Sequence, residues 1–104
     1  MEQRTRVIEE FSDSQFISAA WQGRAHTVAF HLWLGEVNIN SRDASGRTPL
    51  HMAAIRGNQV MAEMLLTNGA QVNAEDADGW TPLRWATASG SHEVSELLRK
   101  YGAH

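Results

Sequence analysis

The chain has 104 residues and no cysteine, with 42% apolar residues, 20% charged residues and a formal charge of −3. This length fits one small domain and excludes a two-domain enzyme. The absence of cysteine excludes a disulfide scaffold, a thiol nucleophile, an iron–sulfur cluster and a zinc site with thiolate ligands. The composition is globular rather than disordered, and the acidic balance disfavours a general nucleic-acid binder, which needs a basic surplus.

The N-terminal segment has no apolar stretch of the kind found in a secretory signal. Apolar runs elsewhere are only a few residues long, so we expect no membrane-spanning helix and a cytoplasmic protein without membrane contacts. Residues 7–11 carry the apolar side chains of Val7, Ile8 and Phe11. This spacing favours a short helix that covers the segment that follows, rather than a dimerisation arm.

The glycines recur at steps of 10 to 12 residues, and the two prolines, Pro49 and Pro82, are 33 residues apart. Regular turn residues that separate short apolar segments are typical of a stack of small supersecondary units. An offset of 33 aligns residues 43–54 with residues 76–87, and an offset of 34 reveals a weaker copy before them. The predicted units are a tail or short capping helix at 1–8, followed by repeats at 9–42, 43–75 and 76–104.

The first repeat, 9–42, is divergent because it lacks the Thr-Pro pair and contains one extra residue between positions 23 and 39. Alignment on its second glycine places His31 on the position that Leu65 holds in the next repeat. An earlier insertion instead places Leu32 and Trp33 on the positions of Leu65 and Leu66. Both alignments remain open, and core packing favours the second.

The second and third repeats are each predicted to form a turn, a short helix, a turn and a longer helix. Thr48 and Thr81 have the type and position of helix N-caps, and each precedes a proline at the first helical position. Gly57 and Gly90 are expected to end the short helices in a left-handed conformation. The longer helices have apolar residues spaced i, i+3, i+4 and close at a glycine. The segments 43–46 and 76–79 are typical of β-turn tips.

These residues resemble the ankyrin repeat. The segment 48–54, Thr-Pro-Leu-His-Met-Ala-Ala, carries the family signature, and residues 65–74 carry its closing half. The resemblance implies an all-α repeat solenoid in which three helix–turn–helix units with β-turn or hairpin loops form an L-shaped stack. For His51 it implies a hydrogen bond that stabilises the turn.

The third repeat, 76–104, departs from the pattern at three positions, where the residues are Arg84, Thr87 and Arg99. A terminal repeat has no neighbour on one side, so positions that stack in an internal repeat must become polar there. We therefore predict that repeat 76–104 is a truncated C-terminal cap and that repeat 9–42 is an N-terminal cap.

No catalytic, cofactor or metal pattern stands out in the sequence. Glycine-rich phosphate loops are absent. The acidic turn at 73–79 is similar to a calcium loop but has Ala74 and Trp85 at positions that need oxygen ligands. Histidines 26, 31, 51, 92 and 104 lack the spacing of metal ligands. We expect a protein that is not an enzyme and needs no cofactor or metal.

The family's function lies in recognition, and the resemblance implies a concave surface formed by turn tips and first helices. The predicted partner-binding residues on it are Trp21, Gln22, Arg47, Ile55, Arg56, Asp78, Trp80, Trp85 and Ser89. Tryptophan and arginine are the residue types enriched at interface hot spots. For Trp21 and Trp85 a packing role is an equal alternative, whereas Trp80 occupies a turn position where the fold requires no apolar residue.

The leading hypothesis is a non-enzymatic module that binds an unidentified protein as an adaptor, an inhibitor or an anchoring subunit. The alternative is a self-associating building block, a homo-oligomer with tryptophans buried between copies. A third hypothesis, weakened by the net charge, is that the arginines at 47, 56 and 84 bind an acidic surface or a nucleic acid.

Overall fold

A computed structural model describes residue 13 and residues 15–104. In this part of the chain, helices alternate with turns and no strand is present. The helices are α1 at residues 15–22, α2 at Ala25–Leu34, α3 at Pro49–Arg56, α4 at Gln59–Thr67, α5 at Pro82–Ala88 and α6 at His92–Lys100. The predicted tail at 1–8 and the predicted short helix at 7–11 lie outside the described residues.

The helices form two layers of a repeat stack. Within a repeat, α3 packs against α4 and α5 packs against α6. Between repeats, α3 packs against α5 in one layer, while α4 packs against both α2 and α6 in the other. This arrangement confirms the predicted all-α repeat stack, in which first helices contact first helices and second helices contact second helices.

The helix ends follow the local signals in the sequence. Thr48 and Thr81 each accept a hydrogen bond from the backbone N–H three residues later, and a proline occupies the first turn of both α3 and α5. Gly57 caps α3 in the left-handed conformation, with φ of 66°. Helix α5 ends one residue before its expected glycine, with Ser89 as the cap and Gly90 left-handed behind it.

One hydrophobic core runs through the stack. Its largest fully buried apolar side chains are Phe16, Val28, Leu50, Met61, Leu65, Val94 and Leu98. Burial of each of these side chains stabilises the folded state by roughly 1.5–3 kcal/mol relative to leaving it exposed. Ala53 and Ala86 are also fully buried, where α3 and α5 pack together. Small side chains at these positions allow the two helices to approach closely.

The preferred alignment of the first repeat is wrong. Trp33 is 80% exposed, so it does not take the buried place of Leu66. His31 is half-buried instead, and its ring packs edge-on against buried Phe16 with the ring centroids 6.4 Å apart. Helix α2 runs to Leu34 and is capped by left-handed Gly35. The extra residue therefore lies after this cap, in the loop at 36–38, because tertiary packing fixes the register of α2.

Candidate functional site

Two aspartates build the turn tips at 43–46 and 76–79. Asp43 Oδ1 accepts hydrogen bonds from the backbone N–H groups of Ser45 at 2.8 Å and Arg47 at 2.9 Å. Asp76 Oδ1 accepts equivalent bonds from Asp78 at 3.0 Å and Trp80 at 2.9 Å. An aspartate side chain that closes a turn in this way mimics a backbone turn. As a result, Arg47 and Trp80 occupy the same position in successive turns.

Direct bonds join the two turns. The backbone N–H of Ala77 donates to the carbonyl of Ser45 at 3.0 Å. Arg42 Nη1 donates to the carbonyls of Gly46 and Glu75, each at 2.7 Å, so one guanidinium spans both turns. The turn tips are therefore a continuous edge of the stack rather than independent loops.

His51 connects the core to the second turn. The backbone N–H of Thr48 donates to His51 Nδ1 at 3.1 Å, which leaves Nε2–H to donate to the carbonyl of Trp80 at 2.8 Å. Burial lowers the pKa of His51, although the Trp80 carbonyl and the charge of Asp76 act in the opposite direction. Neutral His51 thus makes the turn-stabilising bond that the resemblance implied.

Trp80 and Trp85 form an aromatic pair behind the second turn. Their ring centroids are 4.5 Å apart at an interplanar angle of 44°, and both rings are half-buried. The indole Nε1–H of Trp85 donates to Asp76 Oδ2 at 2.8 Å. Burial raises the pKa of Asp76, but this bond and the backbone N–H groups of Trp80 and Asp78 outweigh it, and the pKa is lowered overall. Trp85 therefore has a packing and hydrogen-bonding role in the fold.

Three arginines lie over tryptophan rings. The Cζ of Arg84 is 4.2 Å from the ring centroid of Trp80, Arg47 is 5.0 Å from that of Trp85, and Arg56 is 5.0 Å from that of Trp21. We call this surface the Trp–Arg face, and its members are Trp21, Arg47, Arg56, Trp80, Arg84 and Trp85. No carboxylate oxygen of the described residues lies within 4.0 Å of these guanidinium nitrogens. Each of these guanidinium groups thus lies against an aromatic face, an arrangement that favours cation–π attraction.

A pocket of about 280 Å³ opens between α1 and the first turn. Its lining residues are Ile17, Ser18, Trp21, Asp43, Arg47 and Met52. A second, larger hollow of about 560 Å³ runs along α5, beside Trp80, Arg84 and His104. The first pocket brings together two predicted partner-binding residues, Trp21 and Arg47, from different repeats.

The family model described as ankyrin repeats, in three copies, matches residues 16–104. The chain belongs to the ankyrin repeat family. Ankyrin repeats are generally protein–protein interaction modules, and the family is typically non-catalytic. No curated protein that was compared with this ankyrin chain matches it significantly.

The other predicted site residues are more scattered on the ankyrin stack. Gln22 is exposed on α1 and donates to Ser18 Oγ at 2.9 Å, while Ile55 is half-buried on α3. Asp78 is exposed at the second turn tip, and Ser89 is exposed at the end of α5. These four residues do not line the pocket at Trp21 and Arg47, and their role in binding stays a prediction.

Sequence reasoning missed an aromatic pair on the second helix of the first ankyrin repeat. Phe30 and Trp33 are 55% and 80% exposed, and their rings stack with centroids 6.3 Å apart. The signal was present in the sequence, because an alignment on Gly35 removes Trp33 from the core. The incorrect register hid this feature.

Two further properties bear on the ankyrin stack. Across residues 13 and 15–104, no helix combines the length and apolar character needed to cross a membrane. In the same part of the chain, no three His, Asp or Glu side chains converge in a group able to hold a metal ion.

Proposed function

We propose that this chain is a non-enzymatic module that binds a partner protein through the face formed by its turn tips and first helices. Its role would be that of an adaptor, an inhibitor or an anchoring subunit. The observation that carries the proposal is the Trp–Arg face, which brings three tryptophans and three arginines together. Trp85 also bonds to Asp76 within the fold, whereas the turn position of Trp80 requires no apolar residue.

The physical properties of this face support binding. Trp21 is 40% exposed, and Arg56 is exposed above it. A stacked guanidinium loses less side-chain freedom on binding than a free one, so each contact to it is less opposed by entropy. Large, ordered aromatic and arginine side chains are the residues that dominate interface energies.

The test compares capture of partners from a native lysate by immobilised wild type and variants. Arg56→Ala and Trp21→Ala should release a partner that the wild type retains. Arg99→Ala is the matched control, because Arg99 is an exposed arginine on α6, away from the Trp–Arg face. We expect it to retain the partner.

Thermal unfolding of the same variants shows whether a loss of binding merely reflects a loss of the folded structure. Arg56→Ala should shift the midpoint little, because substitutions of exposed side chains usually change stability by within about 0.5 kcal/mol. If Arg56→Ala and Trp21→Ala retain the partner as well as the wild type does, the assignment of this face is wrong.

Self-association is the second candidate, and the exposed Phe30–Trp33 pair favours it. In a two-fold dimer the same patch meets itself, and an aromatic patch is complementary to another aromatic patch. Sedimentation equilibrium across a wide concentration range tests this candidate. A dimer that Trp33→Ser converts to monomer supports it, whereas a monomeric wild type at high concentration excludes it.

A further inference from the structure

The charge of the Trp–Arg face is opposite to the net charge of the chain. The chain carries a formal charge of −3, yet Arg47, Arg56 and Arg84 all lie on this face. The nearby carboxylates of Asp43 and Asp76 accept hydrogen bonds from their own turns. Asp76 is bonded through both carboxylate oxygens and Asp43 through Oδ1, so the turns orient these carboxylates while their negative charges remain beside the arginines.

Acidic side chains collect on the other helix layer. Glu63 on α4 and Glu93 and Glu96 on α6 line a common hollow of about 360 Å³. Lys100 lines the same hollow, and the turn tips themselves carry acidic residues such as exposed Asp78, so the basic character belongs to the arginines of the Trp–Arg face and not to the whole layer. Exposed arginines attract an acidic partner to the side chains that carry them.

The stacked arginines retain the geometry that carboxylates recognise. A tryptophan ring covers the flat face of a guanidinium, while the N–H donors point outward along its edge. Arg47 has in addition a buried Nε atom without a hydrogen-bond partner among the described residues. Because this nitrogen is buried, a partner carboxylate at half-buried Arg47 would meet the terminal Nη groups and not Nε.

The pocket beside Arg47 is large enough to hold an apolar side chain. Its volume of about 280 Å³ is near the lower limit of small-molecule sites, and Ile17, Trp21 and Met52 give it apolar walls. Asp43, the acidic residue at its edge, already accepts two backbone hydrogen bonds. An apolar side chain fits this environment, and a carboxylate beside that side chain would meet Arg47.

We propose that the partner supplies an acidic segment in which one apolar side chain fills this pocket and an adjacent carboxylate binds Arg47, with Arg56 as a second carboxylate contact. This inference rests on the proposed function and specifies the partner's chemistry. Nucleic acid fits less well, since the pocket has apolar walls where a phosphate backbone needs basic ones.

The probe is a fluorescein-labelled ten-residue peptide with one leucine flanked by glutamates and with glycine–serine ends. Fluorescence anisotropy measures its binding to the full chain at low and at physiological salt. We expect saturable binding that weakens with salt. It should fall by about tenfold when glutamine replaces the glutamates or serine replaces the leucine, which corresponds to the loss of one hot-spot contact.

Three variants locate the binding. Arg47→Ala removes the proposed carboxylate contact, and Ser18→Phe places a ring in the pocket from an exposed position on α1. Each should weaken the peptide by about tenfold. Arg99→Ala, the control outside the face, should change the affinity by less than about twofold.

The inference is overturned if the peptide does not bind, if its glutamine version binds equally well, or if Arg47→Ala and Ser18→Phe leave the affinity unchanged. Tighter binding of a labelled oligothymidine than of the peptide would also overturn it and would indicate a nucleic-acid partner. These failures differ from failure of the proposed function. If Arg56→Ala loses a partner in the lysate experiment that the wild type retains, the proposed protein-binding function stands. The acidic chemistry inferred for the partner is then rejected on its own.

Discussion

His51 is the residue at which one repeat is joined to the next. Its Nδ1 accepts from the N–H of Thr48, and its Nε2–H donates to the carbonyl of Trp80, 29 residues later in the chain. A proton added at Nδ1 would face an N–H donor and remove the first bond. The charged groups around the ring are Asp76, Arg42 and Arg47, and the two arginines oppose that proton. Neutral His51 is therefore part of the folded structure.

The first prediction is that acidification destabilises the fold through His51. Its pKa in the folded chain is below the ordinary value of 6.5, so the unfolded chain binds more protons at mildly acidic pH. The stabilisation of the fold by neutral His51 is therefore fully present above pH 6.5 and declines as the pH falls below that value. A single group can change the free energy of unfolding by up to about 1.4 kcal/mol per pH unit.

Urea unfolding at pH 5, 6, 7 and 8 measures this slope for the wild type and for His51→Gln. Glutamine does not titrate, so the variant should lose less stability between pH 7 and pH 5. Parallel stability curves for the two proteins would show that another group is responsible.

At the scale of elements, the two turn tips differ in how closely they approach a neighbour. Gly46 has φ of 74°, and a Cβ added there would lie 2.8 Å from the backbone nitrogen of Ala77. Gly79 has a similar φ of 78°, but the nearest atom to an added Cβ is Glu75 Oε1 at 3.9 Å. The first turn is therefore packed under the second, while the second has open space above it.

The second prediction separates the cost of left-handed backbone strain from the cost of the close contact between the two turns. Gly79→Ala places a side chain in a left-handed conformation and should destabilise the protein by about 1–2 kcal/mol. Gly46→Ala adds a backbone clash to the same strain, so its loss of stability should be clearly larger. Urea unfolding of both variants gives the comparison, and equal losses would contradict the close contact between the turns.

The elements also show which features are readable from sequence. The helix ends at Thr48, Thr81 and Gly57 were predicted correctly from the sequence, because caps depend on atoms within a few residues. The register of α2 was not readable, because an extra residue can occupy several loop positions and only burial against Phe16 selects one. The bond from Trp85 to Asp76 was also missed, since it requires the orientation of a helix relative to its turn.

The whole molecule is stabilised through contacts between neighbouring repeats. Helix α4 lies in the middle of its layer, between α2 and α6. Leu65 on this helix is fully buried, whereas Val60 on the same helix is 67% exposed. In a stack of repeats, stability is approximately the sum of the repeats and their interfaces. A defect in the central repeat therefore weakens both interfaces at once.

The third prediction concerns this central position. Leu65→Ala should destabilise the fold by about 2–5 kcal/mol, because it removes buried methyl groups and leaves a cavity. The control Val60→Ala should stay within about 0.5 kcal/mol of the wild type. Circular dichroism and tryptophan fluorescence followed during urea unfolding should show one coincident transition for the wild type. Separate transitions would contradict a single cooperative stack.

The bond from His51 to the carbonyl of Trp80 also has an evolutionary consequence. A duplication of residues 43–75, inserted before Asp76, would supply a new histidine and a new turn carbonyl at the required spacing. Both outer repeats would remain unchanged, while the face would gain another copy of Arg47 and Met52. The length of the binding surface is thus a modular quantity that gene duplication can alter in steps of one repeat.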